Sequence, residues 1–281
     1  MKLLENVFEA LLESPQLHYR TSAFYGLNKE VVLQSIKELF STPEGRPSPF
    51  GPFGNISLPF TKMGAINSLD LFGLDELIIF TFYYANRNRY KKVIDIGANL
   101  GLHSIILSRC NFAVRSFEPD PWHYEILLKN LNSNSANNVA PFQQAVSISD
   151  GEAEFVRVLG NTTGSHLAGS KDSYGEKEKF TVSICAAEPL FEWADFAKID
   201  AEGHEKELLQ ITSSELMQNL DIMVEIGNLE NARAVFKHFN DIGINMFSQK
   251  LGWNQVRFIE DMPTSHREGS LFISSKQQMP W

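Results

Sequence analysis

The segment VIDIGANLGLHSI, Val93 to Ile105, restricts the fold of this chain more than any other stretch. Val93, Ile94 and Ile96 make a short apolar run suited to a buried strand. Gly97, Asn99 and Gly101 make a turn, and a helix begins at Leu102. Glycines in such a turn let backbone approach a ligand closely, and the helix start offers free N–H groups and the positive dipole end to an anionic group. In an open α/β sheet this turn lies at the carboxyl end of a strand, where ligands bind. Many strand-to-helix turns carry glycines without a ligand, so the turn alone is weak evidence. Its spacing, Gly97-Ala98-Asn99-Leu100-Gly101, also departs from the Gly-x-Gly-x-x-Gly of dinucleotide sites, which disfavours an NAD-dependent oxidoreductase.

The pattern around the turn defines the fold class. From Lys91 onward, β-type runs alternate with helical stretches. Strands are expected at Val93–Ile96, Ala113–Phe117, Phe142–Val146, Ala197–Asp200, Asp221–Ile226, Ile244–Ser248 and Ser270–Ser274, with helices such as Pro121–Leu131, Glu205–Ile211 and Asn231–Phe239 between them. Such alternation predicts an α/β fold with a mostly parallel sheet covered by helices on both faces. Glu152–Val158 and Phe180–Ile184 read as two further strands flanking a Gly-, Ser- and Thr-rich loop. Residues 1–90 read as a mainly helical N-terminal extension. Leu3, Leu4, Val7, Phe8, Leu11 and Leu12 share one helical face. Asn28 is expected to cap a helix ending at Phe40, and Asp75 one running from Glu76 to Tyr90. Residues 91–281 form the second unit. Pro43–Pro59 and the loop near Thr162 to Tyr174 are candidate lids, and the N-terminal helices are a candidate cap or surface for self-association.

Charge and composition narrow the function. Thirty-four acidic against 25 basic residues leave a net charge of −9, so nucleic acid is a poor partner. The longest apolar stretch, Leu77–Ala85, is too short to span a bilayer, and the first residues lack the pattern of a signal peptide. Cys110 and Cys185 are far apart in sequence and fit buried free thiols in a reducing compartment. The expectation is a cytoplasmic protein.

The candidate chemical groups lie at the ends of the predicted strands. Asp95 sits just inside the first strand. Glu118 ends the second, where a carboxylate can accept hydrogen bonds from ribose hydroxyls or simply be solvated. Asp200, Glu202, His204 and Glu205 follow another strand, and helix-start carboxylates there have an ordinary use against the dipole. Glu225 ends an apolar run where an unpaired carboxylate is costly, which points it toward a cleft. His103 either lines the pocket or is a satisfied helix-start histidine. Trp122, Trp193 and Trp253 read as packing residues. No spacing demands a metal.

Four blocks, DIGANLG (Asp95–Gly101), FEPDP (Phe117–Pro121), AVS followed by DG (Ala145–Ser147, Asp150–Gly151) and KIDAEGHE (Lys198–Glu205), resemble the FkbM-type family of class I S-adenosylmethionine-dependent methyltransferases. They occur in family order between Lys91 and Ser275, and nothing carries over to the region before Lys91. The resemblance implies a Rossmann-like, seven-stranded sheet whose last strand is antiparallel. It implies O-methylation of a sugar, glycan or natural-product hydroxyl. It also implies that Asp95, Gly97, Asn99, Gly101 and His103 lie near the methionine end of the cofactor. Glu118 and Pro119 would then lie at the ribose, Gln144 and Ala145 near adenine, and Asp200 and Glu202 beside the reacting centre. Asp200, then His204 and Glu225, are the candidate general bases. The rival readings are methylation of a nitrogen acceptor, weakened by the absence of an Asn-Pro-Pro-Tyr-type signature, and a non-catalytic cofactor-binding scaffold.

Overall fold

A computed structural model describes residues 2–172 and 175–281. Ser173 and Tyr174, at the end of the second candidate lid, lie outside the described residues. Three helices open the chain: α1 (Lys2–Glu13), α2 (Ala23–Phe40) and α3 (Leu74–Ala85). In α1 the expected apolar face is buried through Leu4, Val7, Phe8 and Leu11. α2 starts earlier than expected because Ser22 caps it, its Oγ accepting from the Tyr25 N–H at 3.0 Å, while Asn28 lies inside the helix and donates to the Phe24 carbonyl. Gly73, not Asp75, precedes α3. The Asp75 carboxylate is instead drawn to Arg20 at 2.7 Å and to the Tyr25 hydroxyl at 2.8 Å. α3 is buried on most sides, as its largely apolar sequence from Leu77 onward requires.

The central sheet contains β1 (Lys92–Ile96), β2 (Ala113–Phe117), β3 (Val139–Phe142), β7 (Phe196–Ile199), β8 (Asp221–Glu225), β9 (Asn245–Ser248) and β10 (Ser270–Ser274). Their spatial order is β3-β2-β1-β7-β8-β10-β9, and the two-residue strand Asn254–Gln255 adds an eighth member beyond β9. Pairings from β3 to β8 are parallel, whereas β10 runs antiparallel to both its neighbours. The sequence order reverses between β1 and β7, which makes their carboxyl ends the switch point where such sheets leave a crevice. Helices α4 (Leu102–Arg109), α5 (Pro121–Ser133), α6 (Glu188–Trp193), α7 (Glu205–Gln210) and α8 (Leu229–Asp241) complete the layers.

A second sheet holds β4 (Ala145–Ser147), β5 (Gly151–Val158) and β6 (Lys177–Ala186), with the short strand His166–Leu167 on its edge. β5 and β6 pair antiparallel, and β4 lies parallel to β6. The single strand expected at Phe142–Val146 is therefore two. The chain leaves the central sheet after Phe142, whose ring stacks on Phe117 at 5.0 Å, and enters the second sheet at Ala145.

Strand alternation sorts the core into two faces. Val93, Phe196 and Met223 face the side shared with α1–α4, whereas Ile94, Ile96, Ala197, Ile199, Ile222 and Val224 face the α6–α8 side. By the same period Asp95, Lys198 and Glu225 belong to the first face, at its carboxyl end. The Pro43–Pro59 segment does not act as a lid: Phe50, Phe53, Ile56 and Leu58 are buried in the core with α1 and α3. Among the described residues no helix is long and apolar enough to cross a membrane.

Gly97 sets how closely β1 and β7 approach. Its φ is +75°, and a Cβ there would lie 1.9 Å from the Asp200 carbonyl oxygen. Gly97→Ala is expected to cost about 2–4 kcal/mol from left-handed strain plus backbone displacement. Urea unfolding checks this, and a variant within 0.5 kcal/mol of the parent (about the size of an ordinary surface substitution) would contradict it.

Candidate functional site

A cavity of about 420 Å³ opens at the carboxyl ends of β1, β2, β7 and β8, where the strand order reverses. This volume suits a small organic ligand. Its floor is the turn Gly97-Ala98-Asn99, with Glu118 and Pro119 beside it. Gln144 and Ala145 stand at the crossing between the two sheets, and Asp200, Glu202 and His204 line the opposite side together with Glu225. The structure thus brings most of the sequence-predicted residues to one space. Two remain inside the wall. Asp95 is fully buried, accepting from Ser104 Oγ at 2.6 Å, and Gly101 packs on Leu127 at the start of α4.

Glu118 is held at both oxygens by backbone. The Asn99 N–H donates to Oε2 at 2.8 Å and the Asp120 N–H to Oε1 at 2.9 Å. The glycine turn and the carboxylate that ends β2 are therefore one unit. Burial pushes the Glu118 carboxyl up to about 8 despite those two N–H donors. Asn99 itself has a positive φ of 53°, and its buried side-chain Oδ1 has no hydrogen-bond partner among the described residues.

Lys198 organises the far side. β7 pairs with β1 so that Lys198 stands opposite Asp95. Its Nζ donates to the Gly97 carbonyl at 3.1 Å and lies 3.5 Å from Asp95 and 3.7 Å from Asp200. Burial alone would lower its pKa, but the carboxylates of Asp95, Asp200, Glu76 and Glu225 outweigh it and raise the value. Burial, then Asp200, Glu76 and Glu202, hold the Glu225 carboxyl well above its usual range. Glu202 has a positive φ of 50°, pairs with Lys171 and is raised to about 7 by burial and by Asp200.

The two histidines are both engaged. His204 bonds Ser147 Oγ through Nε2 at 2.9 Å, and burial lowers its pKa. His103 sits between the Tyr83 hydroxyl and the Glu76 carboxylate, each at 3.0 Å. It lines the cavity as a satisfied helix-start residue, so both readings of it hold. Glu205 turns away, accepting from the Gly203 N–H and from Asn231 Nδ2 at 2.6 Å.

Sequence reasoning gave no site role to Glu76, Lys198, His123 or Thr162, all on the wall. For Lys198 a signal existed, because strand parity puts it on the face of Asp95. Glu76 arrives through tertiary packing of α3 and has no local signature. With Ile66, Asp70 and Leu71 it makes the N-terminal extension part of the wall.

No family model matches the chain. The hexuronic acid methyltransferase AglP of Haloferax volcanii is 28% identical over 138 residues, covering 47% of this chain and 54% of AglP. The chain thus spans about half the length of the curated relative it matches. Among solved structures, methyltransferase FkbM of Methylobacillus flagellatus aligns with 88% of this chain and 59% of its own at 11% identity and a TM-score of 0.40. Precorrin-6y C5,15-methyltransferase of Geobacter metallireducens aligns with 68% and 82% at 14% identity and a TM-score of 0.37.

The Glu118 carboxyl makes stability fall with rising pH. Its folded pKa near 8 exceeds the usual 4.5, so the stabilisation is complete below about 4.5 and is lost as pH rises toward 8. Glu118→Gln should therefore reduce the stability difference between pH 5.5 and pH 8 by about 1–3 kcal/mol. Urea unfolding at the two pH values measures it, and identical pH dependence in parent and variant would be the opposing result.

Proposed function

We propose that the chain is an S-adenosylmethionine-dependent methyltransferase that methylates a hydroxyl group of a sugar, glycan or related natural product. The observation that carries this reading is the union of the glycine turn with Glu118 through the Asn99 N–H. One wall of the cavity then offers helix-start N–H groups to an amino-acid carboxylate and, beside them, a fixed carboxylate to a ribose diol. The residues fit the cofactor on further grounds. Asn99 Oδ1 is buried without a donor among the described residues, and Asp200, Glu202 and Glu225 surround the remaining space. The carboxyl oxygens of all three suit a ligand carrying an ammonium and a sulfonium. A carbohydrate acceptor is supported by the likeness to a protein named for hexuronic acid. Two free thiols, Cys110 and Cys185, fit the reducing cytoplasm.

The bound cofactor would supply a methyl group on a cationic sulfur. The chain supplies the rest. The turn would hold the amino-acid end of the cofactor, Glu118 and Pro119 the ribose, and Gln144 and Ala145 the adenine side. The acceptor enters between Asp70 and Glu76 of the N-terminal extension and the loop that begins at Thr162, which exclude water from around the reacting oxygen. Of the three candidate bases, Asp200 has the best access: its side chain is 35% exposed, and Lys198 lies 3.7 Å away to steady its charge. Burial and then the nearby Asp200 raise the Glu225 carboxyl, which suits it to donate a hydrogen bond, whereas His204 is tied to Ser147. Asp200 would accept the proton of the acceptor hydroxyl, and walls that orient that oxygen toward the cofactor's methyl group would supply much of the acceleration. Asp95 acts from inside the wall, holding Lys198 in place.

Asp200→Asn is expected to lower kcat about 10²- to 10⁴-fold while leaving cofactor affinity within a few-fold of the parent. Radiolabelled methyl transfer to a panel of hydroxylated sugars and glycans, paired with calorimetry, checks both. Undiminished turnover would remove Asp200 from the role, and failure of every hydroxylated acceptor with cofactor bound would contradict O-methylation.

A further inference from the structure

Two contacts run from the second sheet to the surroundings of Glu118. The first begins at Arg157 on β5. Its Nε donates to Asp120 Oδ2 and its Nη2 to Oδ1, both at 2.6 Å, a two-point pair on a carboxylate that is fully buried. Asp120 Oδ1 also caps α5 by accepting from the Trp122 N–H at 2.8 Å. The backbone N–H of the same Asp120 holds Glu118 Oε1. Arg157 is in turn fixed by Glu178 on β6 at 2.7 Å and lies over the Phe180 ring at 4.9 Å.

The second contact begins at Thr162, at the head of the loop joining β5 to β6. Its Oγ1 bonds His123 Nε2 at 3.0 Å, and His123 Nδ1 stands 4.0 Å from Glu118 Oε1, the oxygen that Asp120 holds. His123 is buried and lowered to about 4 by that burial, so it braces this corner as a neutral ring. Both contacts leave one hairpin: the first ends in a hydrogen bond on Glu118 Oε1, and the second packs a neutral ring near the same oxygen, at 4.0 Å. Two-point Arg–carboxylate pairs fix orientation as well as charge, and binding groups must be held within about 0.5 Å of their working geometry.

We infer that the β5–β6 hairpin is a nucleoside clamp: Arg157 through Asp120, and Thr162 through His123, position Glu118 for the ribose diol. The inference rests on the reading of Glu118 as the ribose carboxylate. Arg157 and Thr162 are positioning residues here, because each acts through a neighbour. The hairpin also carries the loop Thr162–Leu167 that lines the cavity, so ordering of that loop and grip on the ribose are mechanically linked.

The test is the ratio of dissociation constants for S-adenosylhomocysteine and its 2′-deoxy analogue, measured calorimetrically. The parent should prefer the ribose form by about tenfold or more, as expected when the buried Glu118 carboxyl is left without one hydrogen-bond partner. Arg157→Gln should collapse the preference to within about threefold, Thr162→Val should reduce it partly, and Arg157→Lys should restore some of it. A merely structural Arg157 would weaken both ligands together and leave the ratio intact, which would overturn the inference. Should Arg157→Gln fail to fold, Thr162→Val leaves the Asp120 pair untouched, and an unchanged ratio there is equally decisive. A parent without any ribose preference would instead sink the reading of Glu118 itself.

Discussion

Lys198 is a charged amine almost wholly buried at the carboxyl end of the sheet. Its ammonium can remain there only because β1 presents Asp95 directly opposite, the Gly97 carbonyl accepts from it, and Asp200 and Glu76 close the ring. Those groups come from β1, β7 and α3, so one buried cation ties the N-terminal helices to the switch point of the sheet. Removing Asp95 would leave the lysine with too few counter-charges, and removing the lysine would leave a cluster of buried carboxylates facing one another. The close approach of β1 and β7, which only a glycine at position 97 allows, brings these partners within reach.

From this centre the cavity takes its character. One side is built from backbone and from a carboxylate that backbone holds, which suits recognition of a fixed cofactor. The other side is built from parts that differ in origin: the N-terminal extension with Asp70 and Glu76, and the hairpin of the second sheet with Thr162 and its loop. Such a division lets acceptor choice change without disturbing the cofactor wall. Burial, reinforced by neighbouring carboxylates, explains why the Glu118, Glu202 and Glu225 carboxyls are all raised.

Much of the wall that carries the glycine turn and Glu118 was legible in the sequence, because its residues sit at the ends of periodic apolar runs and in short local motifs. The strand-turn-helix at Val93–Ile105, the acidic end of β2 and the positions of β7 and β8 are all local signals. The antiparallel seventh strand came from the family resemblance, and β10 has that direction. What the sequence hid was tertiary. Glu76 reaches the cavity because α3 is buried against α4, and no spacing announces that. Ser22 displaced Asn28 as the cap of α2 because several residues there are fit to cap, and packing chooses among them. The run Phe142–Val146 looked continuous, yet the chain changes sheets within it, a break that apolar periodicity cannot register. Asp95 looked like a ligand contact because it neighbours the turn, but strand parity sends it to Lys198 inside the wall.

The central claim is that the glycine turn and Glu118 together hold S-adenosylmethionine. Calorimetric titration of the purified protein with S-adenosylmethionine and, separately, with NAD addresses it most directly. The account predicts saturable one-to-one binding of S-adenosylmethionine and no comparable binding of NAD. Preference for NAD, or indifference to both, would contradict it.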